Sequence, residues 1–475
     1  MNPELNNTGF QGTIMVRKGI IGITAALTTV ILSSNVYAQE SSKPVPAVQK
    51  AAATAPKIVD IESLEEDSRK AYADEKYVSY YVANMKLLEQ RPYNPEYMQR
   101  VIVACAQLNR LTTAYHFMLK MQQQGFSYDL NQDPDTENIR NTEVYTHLND
   151  LMIKAGQPEG IAETAYTLAG KYADPAAITW DETRGRFLVG TQSEGAIVAL
   201  SDEGAADVLI RADDENGLWA IKGLHADAEN NRLWVSSAAV PGFSAFQPTD
   251  KWRGALFEFN LETLELVNRF NLPVDGARHE LGPMAVTDSG DVYIIDHEAS
   301  VVYRKAADGD RLEVFVGSRE MHTLRAIAVT PDNSRLFVSD THKGVLVVDP
   351  VDFSSAILSA PENTNMGGIS GLAYDRGHLF ISQSGFQPER VMRLKLDSSG
   401  SKVVNVTPIA SAREEFNGPG SAAIKGEHVY YFANLGGADA SRGKKPTLVM
   451  RSPLSSENEA PSEAIQKAME KTGSG

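Results

Sequence analysis

A phrase recurs six times in the larger, C-terminal part of this chain, and the recurrence constrains the fold more than any single motif does. Each copy runs apolar strand, Asp/Asn/Gly turn, second apolar strand, variable loop, third strand. The copies begin at Ala177 (AITWDETRGRFLVGTQSEGAIVAL), Gly223 (GLHADAENNRLWVSS), Gly282 (GPMAVTDSGDVYIIDHEASVVYRK), Arg325 (RAIAVTPDNSRLFVSDTHKGVLVVD), Ser370 (SGLAYDRGHLFISQS) and Ser421 (SAAIKGEHVYYFANL). Their starts lie about 40 to 60 residues apart, the spacing of four-stranded blades, so the pattern predicts a six-bladed β-propeller over 175–455. Turns such as Asp288-Ser289-Gly290 and Pro331-Asp332-Asn333-Ser334 supply the local hydrogen bonds and permissive dihedrals of tight hairpins. Closing six sheets into a ring hides edge strands that would otherwise invite aggregation. The sixth copy has no obvious fourth strand after Arg451; the helical junction or the residues after Glu457 are the candidates to supply it.

Two insertions break the regularity. Ala238 to Arg253 lengthens the loop between the second and third strands of blade two and carries Phe243, Phe246 and Trp252; Gly436 to Lys445 does the same in blade six. The aromatic loop reads either as a plug packed on its own propeller or as part of a ligand pocket.

Upstream, the apolar period is helical. Tyr77, Tyr80, Tyr81, Met85 and Leu88 fall mostly at three- and four-residue intervals, as do Met98, Val101, Ile102, Cys105 and Leu108, and then Ala114, Phe117, Met118 and Met121. Pro95 suits the first turn of a helix. A further helical pair is expected over Glu137 to Ala155 and Glu159 to Lys171, joined at Gly156-Gln157-Pro158. The helical domain, 61–172, resembles a divergent tetratricopeptide-type array; a plain helical bundle packed on the propeller is the alternative.

The N-terminal residues address the chain. Arg17-Lys18, an apolar run from Gly19 to Leu32 and the Val36-Tyr37-Ala38 site read as a signal peptide over 1–38, with Met15 an alternative start. The run is short for a membrane span, although an uncleaved anchor is the other reading. Residues 39–60 are a Ser, Pro and Ala linker and 456–475 a C-terminal tail, so the expected location is periplasmic or secreted, with no membrane span in the mature chain.

A formal net charge of −16 disfavours nucleic acid and acidic membranes, whose phosphates need an electropositive face. Cys105, the single cysteine of the 475 residues, excludes an internal disulfide and a four-thiolate metal site. Its apolar neighbours make it packing material in a helix.

Candidate chemistry lies where strands of separate blades converge on the axis. His279 with Glu280 is the leading acid–base pair, and Arg325 is a guanidinium in need of an anion, either Glu280 or a substrate carboxylate. His225, His322, Asp296, His297, Asp340, His342, Ser370 and Gln383 complete the set of ligand-binding candidates, with Asp296 and Asp340 equally readable as turn caps.

The phrases GARHELGPMAVTDSGDVYIIDHEASVVYR, LRAIAVTPDNSRLFVSDTHKGVLVVD and GGISGLAYDRGHLFISQSG resemble the SMP-30/gluconolactonase/strictosidine-synthase-like superfamily of six-bladed propellers. The resemblance implies lactonase-type hydrolysis around one divalent cation, such as calcium, held on the axis by oxygen ligands. Glu280 is the one family-like ligand. Leu324-Arg325-Ala326, Ser370-Gly371 and Gly282-Pro283 stand where the other donors are expected. Two functions follow. In the first, a non-catalytic channel binds a small polar or anionic molecule, or a protein partner's peptide, and the helical domain docks another protein. In the second, the protein is a lactonase- or esterase-like hydrolase with His279 as base and Arg325 stabilising an oxyanion.

Overall fold

The computed structural model describes residues 60–200, 206–273, 275–317, 321–436 and 446–455. The stretches expected to be a signal peptide (1–38), a linker (39–60, apart from residue 60) and a C-terminal tail (456–475), and most of the blade-six insertion, lie outside the described residues.

Helices α1 (Ile61–Ala73), α2 (Tyr77–Gln90), α3 (Pro95–Gln107), α4 (Leu111–Gln123) and α5 (Glu143–Lys154) precede the sheets, each packing on the next. Asn94 caps α3, its Oδ1 accepting from the Glu96 and Tyr97 amides, and Pro95 occupies the first turn, where its missing N–H costs nothing. Met98, Val101, Ile102 and Cys105 are fully buried, as the stripe requires. Burial pushes the Cys105 thiol up to about 11, so it stays protonated and serves as apolar filling.

Six antiparallel sheets follow; in four of them the strands run in chain order from the innermost outward, and in the last two an earlier segment of the chain supplies the outermost strand. The innermost strands are Pro175–Asp181, Ala220–Asp227, Leu281–Val286, Leu324–Val329, Ile369–Asp375 and Ala422–Lys425. Neighbouring blades pack face to face: Leu188 and Ile197 of blade one meet Ile221, Leu233 and Phe257 of blade two in one buried cluster. The protein therefore has an all-β six-bladed propeller preceded by a helical region.

The expected helix over Glu159 to Lys171 is instead two strands. Glu159–Gly160 adds a fifth strand to blade five, opposite Ser411 and Ala410. Glu163–Leu168 pairs with Thr447–Pro453 and becomes the outermost strand of blade six, which closes the ring. The unpaired edge of blade six outweighs the weak local helical preference. Gly160 adds a backbone reason: its φ is +80°, and a Cβ there would collide with the Ile409 carbonyl. The last helix is also shorter than expected. Pro134–Ile139 forms a 3₁₀ turn, and α5 starts only after Thr142, whose Oγ1 accepts from the Tyr145 amide.

The helical array rests on blades four and five. Ser127 N–H donates to the Gln387 carbonyl at 2.8 Å, and Phe126 meets Phe386 edge to face. Asn365 Nδ2 donates to the Tyr93 carbonyl at 3.1 Å.

Candidate functional site

A β-bulge recurs near the start of five innermost strands: the register shifts at Ala176, Lys222, Gly282-Pro283, Arg325-Ala326 and Ser370. A bulge re-aims side chains, and here it recurs at one end of the ring. Below it runs an axial cavity of about 470 Å³, lined by the inner strands of all six blades. The wall is mostly Ala, Leu, Ile and Val, interrupted by Thr179, Lys222, His225, Ser370 and Ser421, with Trp180, Glu182 and Tyr374 where the inner strands end.

The mouth at the bulge end carries the chemistry. Lys222 Nζ lies 2.8 Å from Glu280 Oε1 and donates to Gln192 Oε1 at 2.9 Å. His297 Nδ1 lies 2.8 Å from the Leu324 carbonyl, which can only accept, so the proton sits on Nδ1. Burial lowers the His297 pKa. The Leu324 carbonyl and Glu280 pull upward, Lys222 and Arg325 downward, and the net direction is down. The ring is therefore neutral near pH 7, with its lone pair on Nε2. That nitrogen sits against Gly282, where any side chain would collide with it. Arg325 is exposed and has no hydrogen bond or ion pair among the described residues. His342 follows the second strand of blade four; burial first, then Arg91 of the helical region, lowers its pKa.

The structure does not bring His225, His279 and Arg325 into one cavity. His225 lines the channel but pairs with Trp234 near the far end of its strand, whereas Arg325 stands at the start of its own. Burial lowers the His225 pKa despite Asp227 and Asp288 nearby. His279 is 6% exposed and lies off the channel, with Nδ1 2.7 Å from Asp296 and Nε2 3.1 Å from Asp275. Glu280 engages Lys222 rather than its sequence neighbour, because adjacent residues on an extended segment point apart.

Asp296 and Asp340 behave alike. Asp296 Oδ1 accepts from the Glu280, Glu298 and Ala299 amides; Asp340 Oδ1 accepts from His342 and Lys343, and its Oδ2 from Thr323. Gln383 holds the equivalent place in blade five, its amide donating to the Asn365 and Gly367 carbonyls. Ser370 lines the channel, but its hydroxyl is engaged by the Pro419 carbonyl at 2.5 Å. His322 is exposed, and its carbonyl accepts from Ser300 Oγ. In the aromatic loop Phe243 is buried against Gly195 of blade one, and Phe243, Phe246 and Trp252 are all outside the channel lining.

Sequence reasoning passed over Lys222 and Gln192. The available signal was positional: Lys222 precedes Gly223 as Ser370 precedes Gly371, at the bulge that also presents Arg325.

The residues present do not fit an axial divalent cation. Among the described residues no three His, Cys, Asp or Glu side chains converge as ligands. Glu280, the one carboxylate at the expected place, is neutralised by Lys222, and Arg325 would repel a cation.

No family model matches the sequence, and no curated protein is detectably similar to it. Several solved structures align with this chain at low identity. A gluconolactonase from Xanthomonas campestris aligns at 15% identity over 62% of this chain and 89% of its own, with a TM-score of 0.43. A luciferin-regenerating enzyme aligns at 14% identity over 62% and 95%, TM-score 0.44. The PQQ-bound aldose sugar dehydrogenase from Streptomyces coelicolor aligns at 13% over 62% and 98%, TM-score 0.41. The fold assignment rests on the strand order itself.

Proposed function

We propose that the axial channel takes up a small polar molecule bearing a carboxylate or similar anion, received at its mouth by Arg325 and Lys222. The observation that carries this reading is Arg325: a guanidinium with no carboxylate partner among the described residues, close to a neutral His297 and next in sequence to Ala326, which lines a cavity large enough for a metabolite-sized ligand. Titration calorimetry with a panel of hydroxy and sugar acids tests it. Arg325→Ala is expected to weaken binding at least tenfold, and an unchanged affinity would refute the assignment. An exported location, resting on the leader-like residues 1–38, and a protein partner for the helical region belong to the same proposal. Cell fractionation and pull-down with the full chain test each.

One observation favours a hydrolytic reading. His297, held neutral with Nδ1–H on the Leu324 carbonyl, has the tautomer of a general base, and in this reading Arg325 and Lys222, whose charges the ring feels, would stabilise an oxyanion. In this reading His297 takes the role that the sequence suggested for His279. Turnover of a lactone and ester panel that is lost in His297→Gln but kept in His279→Gln supports it. Turnover untouched by His297→Gln rules it out.

A further inference from the structure

Arg390 starts the third strand of blade five and is 6% exposed, yet among the described residues it has no carboxylate partner. Its Nε donates to Gln383 Oε1 at 2.8 Å, and its Nη1 to the Gln124 and Gly125 carbonyls at 3.0 and 3.3 Å. Those carbonyls end helix α4, so the helix dipole offsets part of the charge. Nη2 has no hydrogen bond among the described residues and is not sealed from solvent. Arg390 lines a cavity of about 390 Å³ between the helical array and the outer strands of blade five. A guanidinium removed from water without an anion is costly, and burial alone brings its pKa down to about 10. Met392, Val404, Val406 and Pro408 form an apolar part of the lining, alongside polar residues such as Asn363 and Thr364 and one acid, Glu159.

We infer that this junction cavity binds an organic carboxylate, its anion on Arg390 and its hydrocarbon body against Met392, Val406 and Pro408. The apolar part of the lining argues for an organic acid over inorganic phosphate, which has nothing to bury there. The site is separate from the channel mouth. Because Arg390 also holds the end of α4, occupancy would tighten the helical array on the propeller.

The test uses the full chain carrying Arg325→Ala, so that the channel mouth does not contribute. Calorimetry with benzoate and with inorganic phosphate as probes is expected to give saturable benzoate binding and none for phosphate. Arg390→Met is expected to abolish it. Val404→Trp, a change at an exposed position lining the cavity, keeps Arg390 and should weaken binding at least tenfold, so the test survives if Arg390→Met does not fold. Benzoate binding that persists in Val404→Trp, no benzoate binding in the parent, or equal binding of phosphate would overturn the proposal.

Discussion

His279 Nδ1 lies 2.7 Å from Asp296 Oδ2 while Nε2 faces Asp275 Oδ1 at 3.1 Å, so one imidazole is clasped between two carboxylates. Burial opposes its charge, but Asp296 and then Asp275 outweigh that and raise its pKa. With the folded pKa above the unfolded one, the stabilisation is complete below about pH 6.5 and disappears as pH rises through the folded value. His279→Gln is therefore expected to cost about 1–3 kcal/mol at pH 6 and clearly less at pH 9, measured by urea unfolding. Equal costs at both pH values would mean that the ring's shape, and not its charge, is what matters.

Three other histidines act in the opposite direction. His225, His297 and His342 all have lowered pKa values, with burial as the first cause of each. Below about pH 6.5 the unfolded chain binds protons that the native state refuses, so stability falls as pH drops, by up to about 1.4 kcal/mol per unit for each ring. Replacing His297 by Gln should flatten the acid limb of a stability–pH curve between pH 6.5 and 5. An unaltered slope would show that His297 does not titrate differently on folding.

Asp340 uses both oxygens, one toward the His342 and Lys343 amides and the other toward Thr323. Asn offers a single acceptor and would turn an NH₂ toward one of those donors. Asp340→Asn is expected to destabilise by about 1–3 kcal/mol in chemical denaturation, whereas a purely electrostatic role would leave it near neutral at high salt.

The blades were legible because each repeats the same period-two text with its turn residues. The site was less so. His225 and Arg325 both sit on inner strands, and period alone does not say at which end of the axis each emerges; pairing does, since His225 meets Trp234 while Leu324 meets Asp340. Lys222 was overlooked because nothing local marks it, and its meaning comes from a bulge whose recurrence shows only when the sheets are laid side by side. His279–Glu280 misled for a backbone reason: the two side chains diverge, one to Asp296 and the other to Lys222. The segment Glu159 to Lys171 was misread because its partner, Thr447–Pro453, lies far along the chain.

That long-range pairing yields a test of how the ring holds together. Leu168 is 1% exposed and packs with Ile178, Phe187 and Tyr430, so its strand joins blade six to blade one as well as to Thr447–Pro453. Leu168→Ala is expected to cost about 2–5 kcal/mol, combining lost burial with the cavity left behind. If the strand is what closes the ring, amide exchange should also quicken in Ala422–Lys425, the innermost strand of that blade, and not only in its direct neighbour. Val314→Ala, at a 62% exposed position on the outer strand of blade three, serves as the control and should change stability by less than about 0.5 kcal/mol. A Leu168→Ala protein as stable as that control would mean that the propeller is closed by packing between blades, with the returning strand incidental to it.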